Sequence, residues 1–351
     1  VFVPLDFVIG GEDGIGNGWC MLMQSLAAGR SVSLPSLSVG AAQMAARVVG
    51  AYGTVREQFN MPIGRFEGIE EPLARIGGMA YLMDATRRLT CAAVDAGESP
   101  AVLSAIAKAY LTEGMRGVIN DALDIRGGAA ISRGPRNILS SVYRAVPIAI
   151  TVEGANILTR SLIVYGQGAV RSHPFVRAEA EAIEKKDLAA FDLAFFGHLS
   201  LFAGNKLRAA LLAWSAGYMA ATPVAGPAER YFQKLSRFSA AFALISDMAL
   251  AMLGGSLKRR EKLSGRLADA LAWMYLGSAT LKRFIDEGQP ERDVHVMRYG
   301  AELALYNIET ALRGVLRNFP SRPLAHILEF FLFTLSPSAH PPSDELGAKV
   351  A

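Results

Sequence analysis

One carboxylate in this sequence stands where an apolar stretch meets the start of a helix. Residues 145–150 are almost wholly apolar and predict an extended, buried approach, whereas residues 157–165 carry apolar side chains at helical spacing. Glu153 lies between them, beside a predicted helix N-terminus whose unpaired N–H groups attract an anion. A carboxylate held there can act as a general base. The competing interpretation is an ordinary acidic residue at the start of a helix, where Glu is common.

Composition bounds the chemistry around this carboxylate. The chain has 351 residues, 51% of them hydrophobic, and a net charge of +4, which suits about two helical domains and does not imply nucleic-acid binding. Two distant cysteines predict no disulfide framework and fit a reducing compartment, and five histidines without metal-ligand spacing predict no protein-bound metal. The longest uncharged run, residues 209–228, contains proline and glycine and predicts no membrane-spanning helix.

The elements that must position Glu153 are predicted to be helices. Residues 1–9 are typical of a single strand, and a glycine-rich turn follows them. Apolar periodicity, with proline and glycine as boundaries, predicts helices over residues 19–52, 66–96, 99–126 and 135–144, then 176–221, 226–254, 256–286, 290–317 and 322–335. Three long helices in succession favour a bundle, and the polar, proline-containing residues 336–351 predict a mobile tail.

Short motifs occur in a fixed order along the first half of the chain. Arg56 to Phe59 forms an R-x-x-F segment and is followed by F-E-G-I at residues 66–69. Residues 125–128 form a helix-ending I-x-G-G element, and Val152 to Gly154 reads V-E-G. Together these motifs resemble the C-terminal half of the FAD-dependent acyl-CoA dehydrogenases. The long segment after them makes the chain most similar to the extended bacterial members of fatty-acid β-oxidation.

The resemblance implies an all-α fold, namely the C-terminal four-helix bundle of this family followed by a helical extension, with one residual β-strand at the N-terminus. Residues 1–16 would be the end of a middle β-domain and a linker, residues 17–172 the bundle, residues 175–335 the extension and residues 336–351 the tail. The remainder of the active site would belong to a preceding half, so that this part alone would be inactive.

The resemblance also implies roles for individual residues. Glu153 would remove the α-proton of a fatty acyl-CoA while FAD accepts the β-hydrogen as hydride, giving trans-2-enoyl-CoA. Some family members carry the base just before the arginine that corresponds to Arg30, but Gly29 stands there in this chain. Gly154 and Arg30 would lie near the substrate. The residues expected to contact FAD are Arg56, Phe59, Glu67, Asp124, Gly127, Gly128, Ala155 and Asn156.

Three of these positions depart from the family pattern. Glu67 and Asp124 replace glutamines, and a carboxylate repels phosphate and cannot donate an amide hydrogen bond. Ala155 replaces a threonine, which removes a hydroxyl group expected near the flavin. Their contacts with FAD are therefore open.

Partners follow from the same resemblance. Reduced FAD would pass electrons to an electron-transfer flavoprotein or an equivalent carrier, and an arginine that reaches the FAD of a neighbouring subunit implies a homodimer or a higher homo-oligomer. We expect a cytoplasmic location, with peripheral association at the inner face of the cytoplasmic membrane as the variant. Two alternatives stay open: an acyl-CoA oxidase that uses oxygen, and a non-catalytic helical membrane-associated or scaffold protein.

Overall fold

The first half of the chain is a bundle built on long helices. The structure is a computed structural model that describes residue 2 and residues 4–98, 100–168, 173–334 and 337–351. Helix α1 (Gly18–Val55) packs against α2 (Glu67–Asp95) and α3 (Ala101–Arg126). The remaining helices of this half are α4 (Gly128–Ile131), α5 (Leu139–Thr151) and α6 (Asn156–Leu158), the last continuing as a π-helix over Thr159–Gln167.

Helix boundaries in the bundle follow local chemistry. Gly97 and Gly127 adopt positive φ angles of 84° and 54° at the ends of α2 and α3, a conformation that glycine accepts without steric cost. Pro100 precedes the first residue of α3, while Ser99, the first residue of the predicted helix, lies outside the described residues. The predicted long helices are therefore confirmed, with ends displaced by a few residues at most.

The N-terminal strand prediction was wrong for the described residues. Residues Leu5–Phe7 form a 3₁₀ turn, and the side chains of Phe2, Phe7 and Ile9 are exposed. A strand needs a partner for its backbone groups, and no described segment pairs with residues 4–9. The small antiparallel sheet lies elsewhere, where β1 (Glu57–Gln58) pairs with β2 (Met61–Pro62) between α1 and α2.

The apolar approach to Glu153 is helical rather than extended. Helix α5 passes through Pro147 and ends at Thr151. Val146 and Ala149 are buried, whereas Ile148 is 61% exposed, so that the apolar run covers both a buried and an exposed helix face. The prediction of an extended and wholly buried approach was therefore wrong.

The second half adds a helical extension that shares one core with the bundle. It comprises α7 (Val176–Lys185), α8 (Leu188–Trp214), α9 (Glu229–Leu253), α10 (Glu261–Asp286), α11 (Val294–Arg317) and α12 (Arg322–Glu329). The predicted single helix over 176–221 is broken at Lys186, whose φ is 54°, and Asp187 caps α8 by accepting from the Ala190 amide at 3.0 Å. Buried side chains from both halves form one continuous cluster.

The tail, predicted to be mobile, instead ends in a packed helix. Helix α13 (Asp344–Val350) begins at Ser343, whose hydroxyl accepts from the Leu346 amide. Leu346 is buried against Ala74 and Tyr299. Because an apolar side chain buried between two other helices is held by those contacts, this part of the chain belongs to the folded body.

Two helices are long and apolar enough to cross a membrane, as judged by length and composition alone. They are Leu188–Trp214 and the segment Glu229–Arg259, and only 6% of the most apolar window of the first is buried against 44% for the second. The bent pair Leu139–Thr151 and Asn156–Gly166 would make a third candidate. The run at residues 209–228 does not form a helix throughout, as predicted, because α8 ends at Trp214.

Candidate active site

The Glu153 loop joins α5 to α6 through an unusual backbone path. Val152 is extended, Glu153 has φ 54° and Gly154 has φ 93°, after which Ala155 precedes the first residue of α6. A left-handed conformation at a residue with a side chain costs about 1–2 kcal/mol. The carboxylate thus lies three residues before the helix rather than in its first turn, so that the predicted interaction with the helix N-terminus is replaced by other contacts.

Two buried cations hold the carbonyl groups of this loop. Arg30 of α1 donates from Nε to the Glu153 carbonyl at 2.8 Å. Lys108 of α3 donates from Nζ to the carbonyls of Ile150 at 3.0 Å and Gly154 at 2.8 Å. Because each cation comes from a different long helix, the loop is fixed against the body of the bundle from two sides.

The electrostatics of the loop are set by burial of positive charge. Lys108 is fully buried, and burial first, then repulsion by Arg30, lowers the pKa of its ammonium group to about 8, against attraction by Glu153 and Glu113. Burial also lowers the pKa of Arg30, while Glu153 opposes that change. Both cations thus attract the Glu153 carboxylate, whose Oε2 is buried and has no hydrogen-bond partner among the described residues.

Asn156 completes the support of the loop from below. Its Oδ1 accepts from Lys108 Nζ at 2.8 Å, and its Nδ2 lies 2.9 Å from Thr112 Oγ1 and 3.0 Å from Glu113 Oε1. The side chain is buried, with both ends engaged inside the bundle. The predicted FAD contact of Asn156 is therefore left to its backbone, whereas exposed Ala155 beside it faces solvent.

Other predicted FAD-contacting residues lie at the far end of α1. Arg56 caps α1, about 26 positions beyond Arg30 and so roughly 39 Å away along a helix that rises 1.5 Å per residue. Exposed Phe59 occupies the turn between β1 and β2, and Glu67 begins α2. The C-terminal end of α3 reaches the same region, because the Arg126 guanidinium lies 5.1 Å from the Tyr52 ring centroid. Asp124, Gly127 and Gly128 follow there, all exposed.

This second group fits FAD in part. No carboxylate within the described residues forms an ion pair with Arg56, so its guanidinium fork is free for a pyrophosphate. A Cβ added at Gly127 or Gly128 would meet open space, which leaves room for a ligand along that backbone. Glu67 and Asp124 are exposed carboxylates and do not suit a phosphate. The structure therefore brings together one group around Glu153 and another around Arg56, but does not join the two within one chain.

Lys108 was missed by the sequence analysis, although its position carried a signal. It falls on the same helical stripe as Ser104, Leu111 and Met115, all of which are buried. A lysine on an apolar stripe must either extend to solvent or find acceptors inside. Its acceptors come from residues 150–156, and a local pattern does not show that partnership.

One cluster of possible metal ligands lies in the extension. His173, His198 and Asp247 place one ligand atom each within 4.8 Å of one another. The His173 Nδ1 accepts from the amides of Phe175 and Val176, both at 3.2 Å, so that the proton of the neutral ring is on Nε2. That nitrogen lies 3.3 Å from Asp247 Oδ1 and makes no hydrogen bond within the described residues. The absence of a protein-bound metal stays a prediction.

Comparison with known proteins gives the family. The family model "Acyl-CoA dehydrogenase, C-terminal domain" matches residues 16–166, and "Acyl-CoA dehydrogenase, C-terminal, bacterial type" matches residues 170–351. The curated protein "Probable acyl-CoA dehydrogenase FadE10" of Mycobacterium bovis, and its counterpart in Mycobacterium tuberculosis, are 27% identical over 293 residues. That match covers 81% of this chain but 44% of the relative, so the chain spans less than half the length of these relatives.

Solved structures agree with the fold. An acyl-CoA dehydrogenase from Bacillus anthracis, crystallised with FAD, superposes with a TM-score of 0.74 at 17% identity, covering 95% of this chain and 56% of the other. Acyl-CoA oxidase 3 from Yarrowia lipolytica gives a TM-score of 0.55 at 15% identity, covering 89% and 46%. With both family models matched in succession along its length, the chain belongs to the acyl-CoA dehydrogenase family.

Proposed function

We propose that this chain supplies the catalytic base of an FAD-dependent dehydrogenation of fatty acyl-CoA to trans-2-enoyl-CoA, and that Glu153 is that base. One observation carries the assignment: Glu153 stands on a left-handed loop held by two buried cations, with a buried carboxylate oxygen that has no partner among the described residues. Unusual backbone conformations persist where surrounding contacts over-determine them, and such sites are often functional.

The proton would move from the α-carbon of the thioester to the Glu153 carboxylate. FAD, when bound, supplies the acceptor for the β-hydrogen, which leaves as hydride. Arg30 and Lys108 hold the backbone of the loop, and their charges attract the carboxylate. Because a positioned general base contributes about 10²–10⁴-fold to a rate, a loop fixed in this way matters directly to turnover.

The cofactor would be held by residues of two copies of the chain. The group around Arg56 lies at the C-terminal end of α1, and the group around Glu153 lies near Arg30 in the middle of α1. One copy of the chain would therefore offer Arg56, Phe59 and the Gly127–Gly128 backbone to the FAD that serves Glu153 of another copy. This arrangement supports a homodimer or a higher homo-oligomer. The acyl-CoA substrate and an electron-transfer flavoprotein or equivalent acceptor belong to the same proposal.

The location is a further part of this proposal. Helix α8 exposes Leu188, Leu193, Phe196 and Trp214, each more than 60% accessible, along a helix whose apolar window is 6% buried. Several large exposed apolar side chains on one helix favour an interaction site. It favours peripheral association of a cytoplasmic protein with the inner face of the membrane.

The assignment is tested with Glu153→Gln in the full-length, FAD-loaded protein. We expect FAD to be retained and anaerobic flavin bleaching by an acyl-CoA to be lost, because an amide cannot accept the α-proton. Glu229→Gln is the matched control, since Glu229 is likewise half-buried but begins a helix of the extension. Flavin reduction at the parent rate in Glu153→Gln would remove Glu153 from the mechanism.

The same protein separates the remaining alternatives. A dehydrogenase reduces an artificial dye with little hydrogen peroxide, whereas an oxidase forms peroxide from oxygen for each acyl-CoA consumed. A full-length protein that neither binds FAD nor responds to acyl-CoA would instead be a non-catalytic helical protein.

A further inference from the structure

Asp269 of α10 lies at the junction between the extension and the bundle. Its Oδ1 accepts from Arg160 Nε at 2.6 Å and from the Tyr110 hydroxyl at 2.7 Å, and its Oδ2 pairs with Arg160 Nη2. These contacts bridge 109 and 159 positions of sequence. A single carboxylate of the extension thus connects two separate elements of the bundle.

The two connected elements are those that hold the Glu153 loop. Arg160 lies in the π-helix that continues α6, seven positions after Glu153. Tyr110 lies on α3, two positions after Lys108, whose ammonium group binds the loop carbonyls. Movement of either element relative to the other would therefore displace the loop.

Packing fixes the same junction sterically. A Cβ added at Gly265, one turn before Asp269 on α10, would lie 2.7 Å from Arg160 Nη1. The guanidinium group consequently lies against the backbone of α10, and a side chain at residue 265 would displace it. Asp269, on the following turn of α10, then binds the Arg160 guanidinium group.

We infer that Asp269 is a positioning residue for the catalytic base, acting through Arg160 and Tyr110, so that the extension takes part in the active site without touching substrate. This inference rests on the proposed role of Glu153. It assigns a task to a part of the chain in which the sequence analysis found no catalytic group. Displacement of a reacting group by about 1 Å through a remote change can cost about 10²-fold in rate.

The test uses Asp269→Asn in the full-length, FAD-loaded protein. Asparagine keeps the shape but loses the charge and one acceptor oxygen, so we expect the rate constant of flavin reduction to fall about 10–100-fold, with little change in the apparent KM for acyl-CoA. Hydrogen exchange of the amides of residues 150–156 should accelerate in the same variant without substrate. Glu287→Gln is the matched control, because Glu287 also pairs across the junction, with Arg88 at 2.9 Å, but away from the loop.

Arg160→Gln and the double variant provide the second measurement. If Asp269 acts through Arg160, the double variant loses no more rate than the larger of the two single changes, since coupled residues are not additive. Losses that multiply, or exchange at residues 150–156 unchanged in Asp269→Asn, would overturn the inference. Parent activity in Asp269→Asn while Glu153→Gln is inactive would overturn the inference alone, whereas parent activity in Glu153→Gln would remove the proposed function itself.

Discussion

Replacement of Lys108 by methionine removes the central contact of the Glu153 loop while keeping most of the side-chain volume. The carbonyl of Ile150 and the amide oxygen of Asn156 then lose their donor, whereas the Gly154 carbonyl keeps the hydrogen bond from the Thr159 hydroxyl. A buried acceptor left unpaired costs about 1–3 kcal/mol, which gives a loss of roughly 2–6 kcal/mol for two. Relief of the buried charge offsets part of this loss.

The free energy regained by removing the buried charge follows from the pKa of Lys108. Its pKa is lowered from 10.5 to about 8, chiefly by burial, and each unit corresponds to 1.36 kcal/mol, so that roughly 3 kcal/mol returns when the ammonium group is removed. We therefore expect the free energy of unfolding of Lys108→Met to fall by about 1 kcal/mol, and by no more than about 3 kcal/mol.

Urea unfolding at pH 7, followed by circular dichroism, measures this change. Lys282→Met is the matched control, because Lys282 is exposed and, among the described residues, pairs only with Asp286 one turn away. It should change stability by less than about 0.5 kcal/mol. Flavin reduction should slow in Lys108→Met as the loop loosens. A Lys108→Met protein as stable as the parent, with the parent rate of flavin reduction, would refute the argument that Lys108 holds the loop.

Three further outcomes are expected from the same structure. Above pH 8 a neutral Lys108 donates two hydrogen bonds instead of three, so flavin reduction should decline with an apparent pKa of about 8. Between pH 8 and pH 10.5 the contribution of the Lys108 amine to the free energy of unfolding should rise, because the unfolded chain binds more protons there than the folded chain. Lys108→Met should show neither effect when kinetics and unfolding are measured against pH. Gly154→Ala places a side chain at φ 93° and should lower the free energy of unfolding by about 1–2 kcal/mol in urea titrations, unlike Gly117→Ala, where α3 has open space. The full-length protein should sediment with anionic phospholipid vesicles, and replacement of Leu193 and Phe196 by serine should leave it in the supernatant; a parent protein that stays soluble beside the vesicles contradicts membrane association.

The helical framework could be predicted because its signals are local. Long runs of periodic apolar residues mark α1, α2 and α3, and glycines with positive φ angles end two of them. Glu153 was selected from the same kind of evidence, together with the order of the motifs around it. The structure places Arg30 Nε 2.8 Å from the backbone carbonyl of this residue, a contact that the sequence analysis did not predict.

Other features depend on partners that a local pattern does not show. The apolar run at residues 145–150 is compatible with either a strand or a helix. The structure shows a helix, in which Val146 and Ala149 are buried on one face. The helix break at Lys186 depends on a left-handed backbone conformation at a residue other than glycine, and the local sequence does not predict this conformation. The proposed roles of Lys108 and Asp269 depend on contacts with residues more than 40 and more than 100 positions away along the chain, respectively.

The direction of the loop carbonyls bears on what the loop can offer a substrate. The carbonyl of Glu153 faces Arg30, and that of Gly154 faces Lys108 and the Thr159 hydroxyl, at 2.8 Å and 3.2 Å. In a trans peptide the N–H points opposite to the C=O, so the amides of Gly154 and Ala155 are turned away from the cations. Neither amide donates a hydrogen bond within the described residues. A thioester that gains enolate character needs hydrogen-bond donors. Because the two cations bind the loop carbonyls, the amide N–H groups of Gly154 and Ala155 point to the other side of the loop, beside the proposed base.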